Sequence, residues 1–333
     1  MNIAFFSTTK TDRKLFLPLA KKKGIDINFL DVQLNEQSVF LAKDADGICI
    51  FVNDKVTPEI VKHLATLKIK LIILRCAGFN NVNLKLTTQY DITVLRVPSY
   101  SPMAVAEHAL ALMMSLNRKT YRAYNRVRDN NFSLEGLLGF DMFNKTIGII
   151  GTGKIGIEMI KISKGLGMNI LAHDISPNQD AIEMNTKYVS LNKIYEQADI
   201  ISLHLPLLPE TKYMINTKSI SKMTKGVMLI NTSRGGLIDT KALITALKSE
   251  QIGYLGIDVY EEEGCLFFED HSEEIIQDDV FERLLTFPNV LITAHQAFFT
   301  KEALTHIAET SLQNILDFKN NQINNDNLVT LCK

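Results

Sequence analysis

Three groups of different chemistry each follow a short apolar run in the C-terminal half of the chain. They are the guanidinium of Arg234 after residues 226–230, a carboxylate among Glu261, Glu262 and Glu263 after the run that opens at Ile252, and the imidazole of His295 after residues 290–292. An arginine grips a carboxylate through two parallel hydrogen bonds. A protonated imidazole gives its proton to an oxygen that is becoming an alkoxide, and a neutral one takes it back. A neighbouring carboxylate favours the charged imidazole. Together these groups suit hydride transfer to the ketone of a 2-oxo acid, with Arg234 also able to polarise the ketone oxygen. Singly, each has a plainer reading. Arg234 could be a surface cation, the glutamates a solvated acidic turn, and His295 a core or capping histidine. Periodicity supplies no distances, so their convergence is an inference from topology: in α/β sheets, ligands sit beyond the carboxyl ends of strands.

Hydride transfer needs a donor site, and residues 146–174 have the makings of one. The run Thr146-Ile147-Gly148-Ile149-Ile150 leads into Gly151-Thr152-Gly153-Lys154-Ile155-Gly156, then a helical pattern to Gly167, an apolar run over 169–173, and Asp174. Strand, glycine turn, helix, strand and acid, in that order, can hold a dinucleotide. Gly151 permits the tight turn, Gly153 lets the backbone approach the pyrophosphate, and Gly156 lets helix and strand pack. The helix N-terminus offers N–H groups to the phosphates. Asp174 can accept hydrogen bonds from both ribose hydroxyls and repels a 2′-phosphate, and Ile175 and Ser176 bring no cation, so NAD is expected rather than NADP. A bare glycine pattern often serves only a loop; the flanking strands and the placed acid carry the reading here.

About 145 residues precede this turn and alternate in their own right. Strand patterns cover 2–6, 26–30, 47–52, 70–75 and 92–97, with helical patterns such as 11–23 and 57–67 between them, which predicts a parallel sheet covered on both faces. Pro98-Ser99-Tyr100-Ser101-Pro102 reads as a stiff connection, with Ser101 as N-cap and Pro102 first in a long helix over 103–129. Beyond Asp174, strands are expected at 187–189, 199–205, 226–231, 252–259 and 290–293, and helices at 240–249 and 301–319. The Asn-rich stretch 320–327 is expected to be loose. The fold class is therefore α/β, with two Rossmann-like domains of parallel sheet and a second connection between them near residues 296–299.

Composition narrows the function classes. The chain has 333 residues, 46% hydrophobic and 22% charged, with a formal net charge of -1. No basic stripe supports a nucleic-acid partner, and Lys21-Lys22-Lys23 reads as one solvated helix face. No apolar run reaches the roughly 18 to 20 residues that span a bilayer, and the opening apolar run is too short for a signal-peptide core. The four cysteines, Cys49, Cys76, Cys265 and Cys332, show no metal-type spacing. No metal is expected, Cys49 is expected to be a buried thiol, and a reducing cytoplasm suits this usage.

Longer strings carry a resemblance. Asn231-Thr232-Ser233-Arg234-Gly235, Asp258-Val259-Tyr260-Glu261 with Glu263, and Thr293-Ala294-His295-Gln296-Ala297-Phe298 resemble the D-2-hydroxyacid dehydrogenase family, on its fermentative D-lactate dehydrogenase branch. Arg75-Cys76-Ala77-Gly78-Phe79-Asn80-Asn81, Val105-Ala106-Glu107-His108 and Phe267-Phe268-Glu269-Asp270 agree, so the likeness spans nearly the whole chain. It implies an NAD-dependent enzyme that reduces pyruvate to D-lactate, the handedness resting on the resemblance alone. It places the catalytic arginine, acid and histidine at Arg234, Glu263 and His295. Lys154 and Ile155 would bind the pyrophosphate through backbone N–H groups. Leu205, Pro206, Thr211, Thr232 and Asp258 would line the adenine and nicotinamide sites, and Ser233 would join them in binding the cofactor beside Gly151, Gly153, Gly156 and Asp174. Ala77, Gly78 and Phe79 would offer N–H groups to the substrate carboxylate, which Arg234 also grips, while Tyr100 and Phe298 would bound a methyl-sized pocket. It also implies that residues 299–333 return to a flavodoxin-like substrate domain formed by 1–100, that 101–298 is the NAD domain, that the interdomain cleft closes over both ligands, and that the chain forms a homodimer or homotetramer through the helix from Met103.

One departure stands at Asn83, where relatives often carry Asp; a helix cap accepts either. His204 is expected to shape the nicotinamide loop rather than react, His108 and His173 to be structural, and Met113-Met114 to be core. Tyr121 and Tyr124 with Arg118, Arg122 and Arg126 suit an inter-subunit surface better than nucleic acid. The rival readings are a bulkier 2-oxo acid as substrate, and a non-catalytic NAD(H)-sensing protein of corepressor type, against which no partner-binding extension is visible.

Overall fold

The computed structural model describes residues 1–330, so Cys332 lies outside it, as does the Cys265 side chain. The chain divides into two compact units, Met1–Ser101 with Phe299 onward, and Pro102–Phe298.

In the first unit the strands β1 (Asn2–Phe5), β2 (Asp26–Phe29), β3 (Gly47–Ile50), β4 (Leu71–Leu74) and β5 (Thr93–Arg96) form one sheet in the order β2-β1-β3-β4-β5. All its pairs are parallel, in the flavodoxin-like order. Residues of β3 and β4 are buried throughout, which is why they read as unbroken apolar runs rather than alternation. The observed strands are shorter than the apolar runs because those runs continue into loops after the ladder ends. Helix Lys10–Lys23 starts at a reciprocal cap between Thr9 and Asp12 and stops at Gly24, which adopts φ 65°. Asn83 caps helix Leu84–Gln89 by accepting the Leu86 N–H at 3.1 Å, so the amide does the work expected of it. Cys49 and Cys76 are buried thiols, and burial pushes the Cys49 pKa up to about 12.

The stretch 320–327, expected to be loose, is mostly exposed and irregular up to Asp326 but is anchored at Asn327. After helix Lys301–Lys319, the chain turns back and Leu328 bridges antiparallel to Leu95 on the edge strand β5. The Arg96 N–H donates to the Asn327 carbonyl at 2.9 Å, and Val329 donates to Val94 at 2.9 Å. Asn327 is buried, and its amide donates to Asn314 Oδ1 at 2.7 Å while Asn314 donates to the Arg96 carbonyl at 3.0 Å. An asparagine-rich stretch reads as polar and unstructured, yet these amides close a hydrogen-bond circuit that leaves the edge strand paired.

In the second unit β6 (Thr146–Ile150), β7 (Asn169–His173), β8 (Lys187–Tyr188), β9 (Ile200–Leu203), β10 (Val227–Asn231), β11 (Ile252–Ile257) and β12 (Val290–Ile292) order as β12-β11-β10-β9-β6-β7-β8. This is the doubly wound dinucleotide arrangement with one further strand, and the order reverses at β6. Helix Pro102–Arg118 packs against β10, β11 and helix Lys154–Gly165 through Ala106, Ala109, Leu112, Met113 and Leu116, all buried in one core cluster. The single helix expected over 103–129 is in fact two. Lys119 sits at φ 50° and ψ 36°, and a second helix runs Thr120–Arg128. Asn117 exchanges hydrogen bonds with the Phe140 backbone, donating at 2.7 Å and accepting at 2.8 Å, and the Lys119 ammonium caps the Leu138 carbonyl. These contacts from a returning segment fix the end of the first helix, and helical periodicity carries no sign of them.

Replacing Asn327 by Ala leaves buried Asn314 Oδ1 without its donor. A loss of about 1–3 kcal/mol is expected, read as a lower melting temperature, whereas the exposed Asn325→Ala shifts stability by no more than about 0.5 kcal/mol.

Candidate active site

The glycine turn lies where the strand order reverses. Gly151 follows β6 at φ 95° and donates its N–H to the His173 carbonyl at 2.8 Å. A Cβ on Gly151 would stand 2.3 Å from the His204 carbonyl oxygen, and one on Gly156 would stand 2.0 Å from that of Gly151. Those two glycines are demanded by the protein itself. Gly153 is different: its φ of -67° and ψ of -168° suit any residue, and a Cβ there would meet nothing within 4 Å. The space over Gly153 is what close backbone approach by a pyrophosphate requires. Gly153 caps helix Lys154–Gly165 without a side chain, so the first-turn N–H groups of Lys154 and Ile155 have no side-chain acceptor at the cap.

Asp174 follows β7. One carboxylate oxygen accepts the Thr152 N–H at 2.7 Å and its hydroxyl at 3.2 Å, and the other accepts the Ser176 N–H at 3.0 Å. Burial pushes this carboxyl upward, but the hydrogen bonds from Ser176, Thr152 and Ile175 outweigh it and hold it below the usual carboxylate range. The acid is thus ionised and oriented. The Ile175 side chain beside it is 97% exposed and brings no cation. These features fit NAD.

Further along the same sheet edge, Thr211 ties the loop after β9 together. Its hydroxyl donates to the Pro206 carbonyl and accepts the Leu208 N–H, each at 2.8 Å, with Leu205 half-buried beside it. Thr232 is buried and its hydroxyl has no partner among the described residues, as a residue awaiting a ligand would. The Ser233 hydroxyl proton is spent on the Leu203 carbonyl at 2.8 Å. His204 is buried, with Nε2 at 2.9 Å from Ser202 Oγ, and burial pushes its pKa down to about 4. An imidazole kept neutral in this way holds its loop and cannot serve as a proton donor near neutrality.

Arg234, Glu263 and His295 follow β10, β11 and β12, three neighbouring parallel strands, and so stand on one edge of the sheet. His295 Nδ1 and Glu263 Oε1 are 2.8 Å apart. The other Glu263 oxygen accepts the Tyr260 N–H at 3.0 Å. Of the neighbouring acids, Glu261 accepts the Tyr213 hydroxyl at 2.8 Å and Glu262 is exposed, so Glu263 alone of the three pairs with the imidazole. The backbone at Gly235 is packed so closely on Tyr260 and Glu261 that a Cβ would stand 2.1 Å from the Tyr260 carbonyl carbon. That contact joins the arginine loop to the acid loop. Arg234 is half-buried and donates to the Ser233 carbonyl at 2.6 Å, and among the described residues no carboxylate lies within ion-pairing distance of it.

His295 has φ 52°, unusual for a residue with a side chain, and Asp258 holds it there. The Asp258 carbonyl accepts the His295 N–H at 2.7 Å. Its buried carboxylate accepts the Gln296 N–H at 2.9 Å, the Ala297 N–H at 2.8 Å and the Thr293 hydroxyl at 2.6 Å. The sequence marked Asp258 only as a cofactor residue; its hold on the histidine loop depends on contacts across 35 and more residues. Phe298 is half-buried at the end of this loop.

In the first unit, Ala77, Gly78 and Phe79 follow β4 and are half-buried, as is Tyr100. Arg96 fixes this loop: its guanidinium donates to the Ala77 carbonyl at 2.9 Å and lies 5.1 Å from the centre of the Phe79 ring. No feature of the sequence singled out Arg96.

Comparison with known proteins bears on this geometry. Residues 110–297 match the family model described as the D-isomer specific 2-hydroxyacid dehydrogenase, NAD binding domain. A 2-hydroxyacid dehydrogenase homolog of Haemophilus influenzae is 52% identical over 97% of this chain and 98% of its own. The chain belongs to the D-isomer specific 2-hydroxyacid dehydrogenases, which are NAD-dependent oxidoreductases. The D-lactate dehydrogenase of Escherichia coli is 50% identical over 95% of this chain and 96% of its own. A solved structure of the pyruvate reductase of Chlamydomonas reinhardtii superposes with a TM-score of 0.92 at 45% identity, over 97% of each chain. Family membership and the observed sheet orders agree with the expected α/β fold and with NAD as cofactor. Among the described residues no helix is long and apolar enough to cross a membrane.

The dehydrogenase's glycines make opposite predictions. Gly153→Ala should leave the melting temperature unchanged and weaken NADH binding, whereas Gly156→Ala should lower the melting temperature; fluorescence titration and thermal melts separate the two. His204 predicts a pH effect. Its unfolded pKa is near 6.5 and its folded one about 4, so the unfolded chain takes up the proton first. The resulting stability is whole above about 6.5 and is lost as pH falls through 4. Denaturation curves of His204→Gln should therefore fall less steeply across that window than those of the wild type.

Proposed function

We propose that this dehydrogenase reduces pyruvate with NADH to D-lactate, reversibly, with His295 as general acid and base, Glu263 as its charge support and Arg234 as the grip on the substrate carboxylate. NADH, when bound, supplies the hydride. Arg234 is suited to its part because, among the described residues, no carboxylate pairs with its fork. In the reductive direction His295 gives a proton to the ketone oxygen as negative charge develops there, and Glu263 stabilises the imidazolium before that transfer. In oxidation the same imidazole takes the proton back. In the first unit the proposed substrate contacts are the N–H groups of Ala77, Gly78 and Phe79 and the side chain of Tyr100; in the second, Phe298 joins Arg234 and His295. Gly151, Gly153, Lys154, Ile155, Gly156, Asp174, Leu205, Pro206, Thr211, Thr232, Ser233 and Asp258 serve the cofactor, with the Asp258 carboxylate also holding the loop of His295.

The observation that carries this reading is the 2.8 Å contact of Glu263 with His295 on the sheet edge that also bears an unneutralised Arg234. Pyruvate and the D configuration are supported by kinship with the Escherichia coli and Chlamydomonas enzymes. A second copy of the chain is the proposed partner, covering the segment after the helix Thr120–Arg128, where Phe132 is 71%, Leu134 83% and Leu138 87% exposed. The buried thiols Cys49 and Cys76 suit work in the cytoplasm.

The test is NADH oxidation, followed by absorbance, with pyruvate and with phenylpyruvate, and chiral analysis of the product. Faster turnover of pyruvate and a D product are expected. L-lactate, or no turnover, overturns the reading, and preference for phenylpyruvate replaces pyruvate by a bulkier 2-oxo acid. Arg234→Lys keeps the charge but loses the fork, and kcat/KM for pyruvate should fall roughly 10- to 100-fold.

A further inference from the structure

We propose that His108, two turns into the helix Pro102–Arg118, is a positioning residue for His295, acting through the Thr293 hydroxyl and the Asp258 carboxylate. The inference rests on the reading of His295 as the acid and base. It begins with a proton count. His108 Nε2 lies 2.9 Å from Thr293 Oγ1 and 3.4 Å from Asp258 Oδ1. The Thr293 hydroxyl has one proton and gives it to Asp258 Oδ1 at 2.6 Å. Toward His108 it can therefore only accept, so Nε2 of His108 carries a hydrogen and donates it.

That donor sits at the root of a chain that ends on the reacting imidazole. Asp258 is fully buried, and a buried carboxylate persists only where donors satisfy it. Oδ1 accepts from Thr293 and the Gln296 N–H, and Oδ2 accepts the Ala297 N–H. These are the residues on both sides of His295, whose own N–H is held by the Asp258 carbonyl. His295 occupies the left-handed region, a conformation that reverts unless its surroundings fix it. Thr293 is thus pinned from two sides, by a helix donor and by a carboxylate acceptor, and the histidine loop takes its course from that point. The helix is itself fixed by core packing of Ala106, Ala109 and Leu112, so His108 carries the rigidity of the core to the loop. His108 does not act on the acid-base pair directly: His295 Nδ1 has its own 2.8 Å contact with Glu263 Oε1.

Four proteins test this in the same steady-state assay: His108→Ala, His108→Gln, Thr293→Val and the double variant His108→Ala with Thr293→Val. His108→Ala should lower kcat roughly tenfold to a hundredfold, as a displaced catalytic group does, while the KM for NADH stays unchanged. His108→Gln, which keeps a side-chain N–H donor, should recover most of the loss. The double variant should be no worse than the worse single variant, because both remove one pathway. Thermal melts identify any variant that fails to fold, and the glutamine variant then carries the test. Unchanged kcat in a folded His108→Ala, or losses that add in the double variant, overturn the inference. Failure of the underlying reading looks different: a wild type without activity, or a His295→Asn variant that retains it.

Discussion

A single buried carboxylate organises the loop that carries His295. Asp258 has no access to water, so its charge persists only by gathering donors, and the donors in reach are the hydroxyl of Thr293 and the N–H groups of Gln296 and Ala297. Satisfying the charge forces the loop after β12 into one course. Along that course His295 is turned into the left-handed region with its imidazole against Glu263. An electrostatic requirement on one residue thereby becomes a geometric one on another. Breaking such a carboxylate's partners is expensive, whereas an exposed salt bridge in the same place would give little direction. The loop therefore need not rely on length or composition for its rigidity.

The cofactor end of the sheet follows the same logic of enforced proximity, with backbone in place of charge. Gly151 and Gly156 are set by contact with other carbonyl groups, and the turn they make leaves Gly153 with open space above it. Asp174 is held by Thr152, a residue of that same turn, and Tyr188 in turn donates to the Thr152 hydroxyl at 2.8 Å. Turn and acid are therefore one unit, and a dinucleotide that reads the acid also meets the turn.

How much of this could be read from the sequence depends on how local each cause is. The glycine turn, Asp174 and the strand-end positions of Arg234 and His295 were legible because strand, turn and helix signals lie within a few residues of the groups they place. The choice among Glu261, Glu262 and Glu263 is not: the three are chemically alike, and only the family resemblance points to Glu263. In space they separate at once, because Tyr213 engages Glu261 and His295 engages Glu263. The break at Lys119 and the pairing of Leu328 with Leu95 both arise from segments distant in sequence. So does the contact between His108 and Thr293, 185 residues apart. Arg96 beneath the Ala77–Phe79 loop is another such case, an ordinary strand-end arginine until the loop lies across it.

The central claim is that Arg234 and His295 act on one molecule of substrate. A crystal structure with NADH and oxamate, an unreactive isostere of pyruvate, tests it most directly. The account predicts the oxamate carboxylate in the fork of Arg234 and the oxygen that stands for the ketone within hydrogen-bond reach of His295 Nε2, with Nδ1 still on Glu263. Oxamate bound away from Arg234, or His295 turned from it while NADH occupies the glycine turn, would contradict the account.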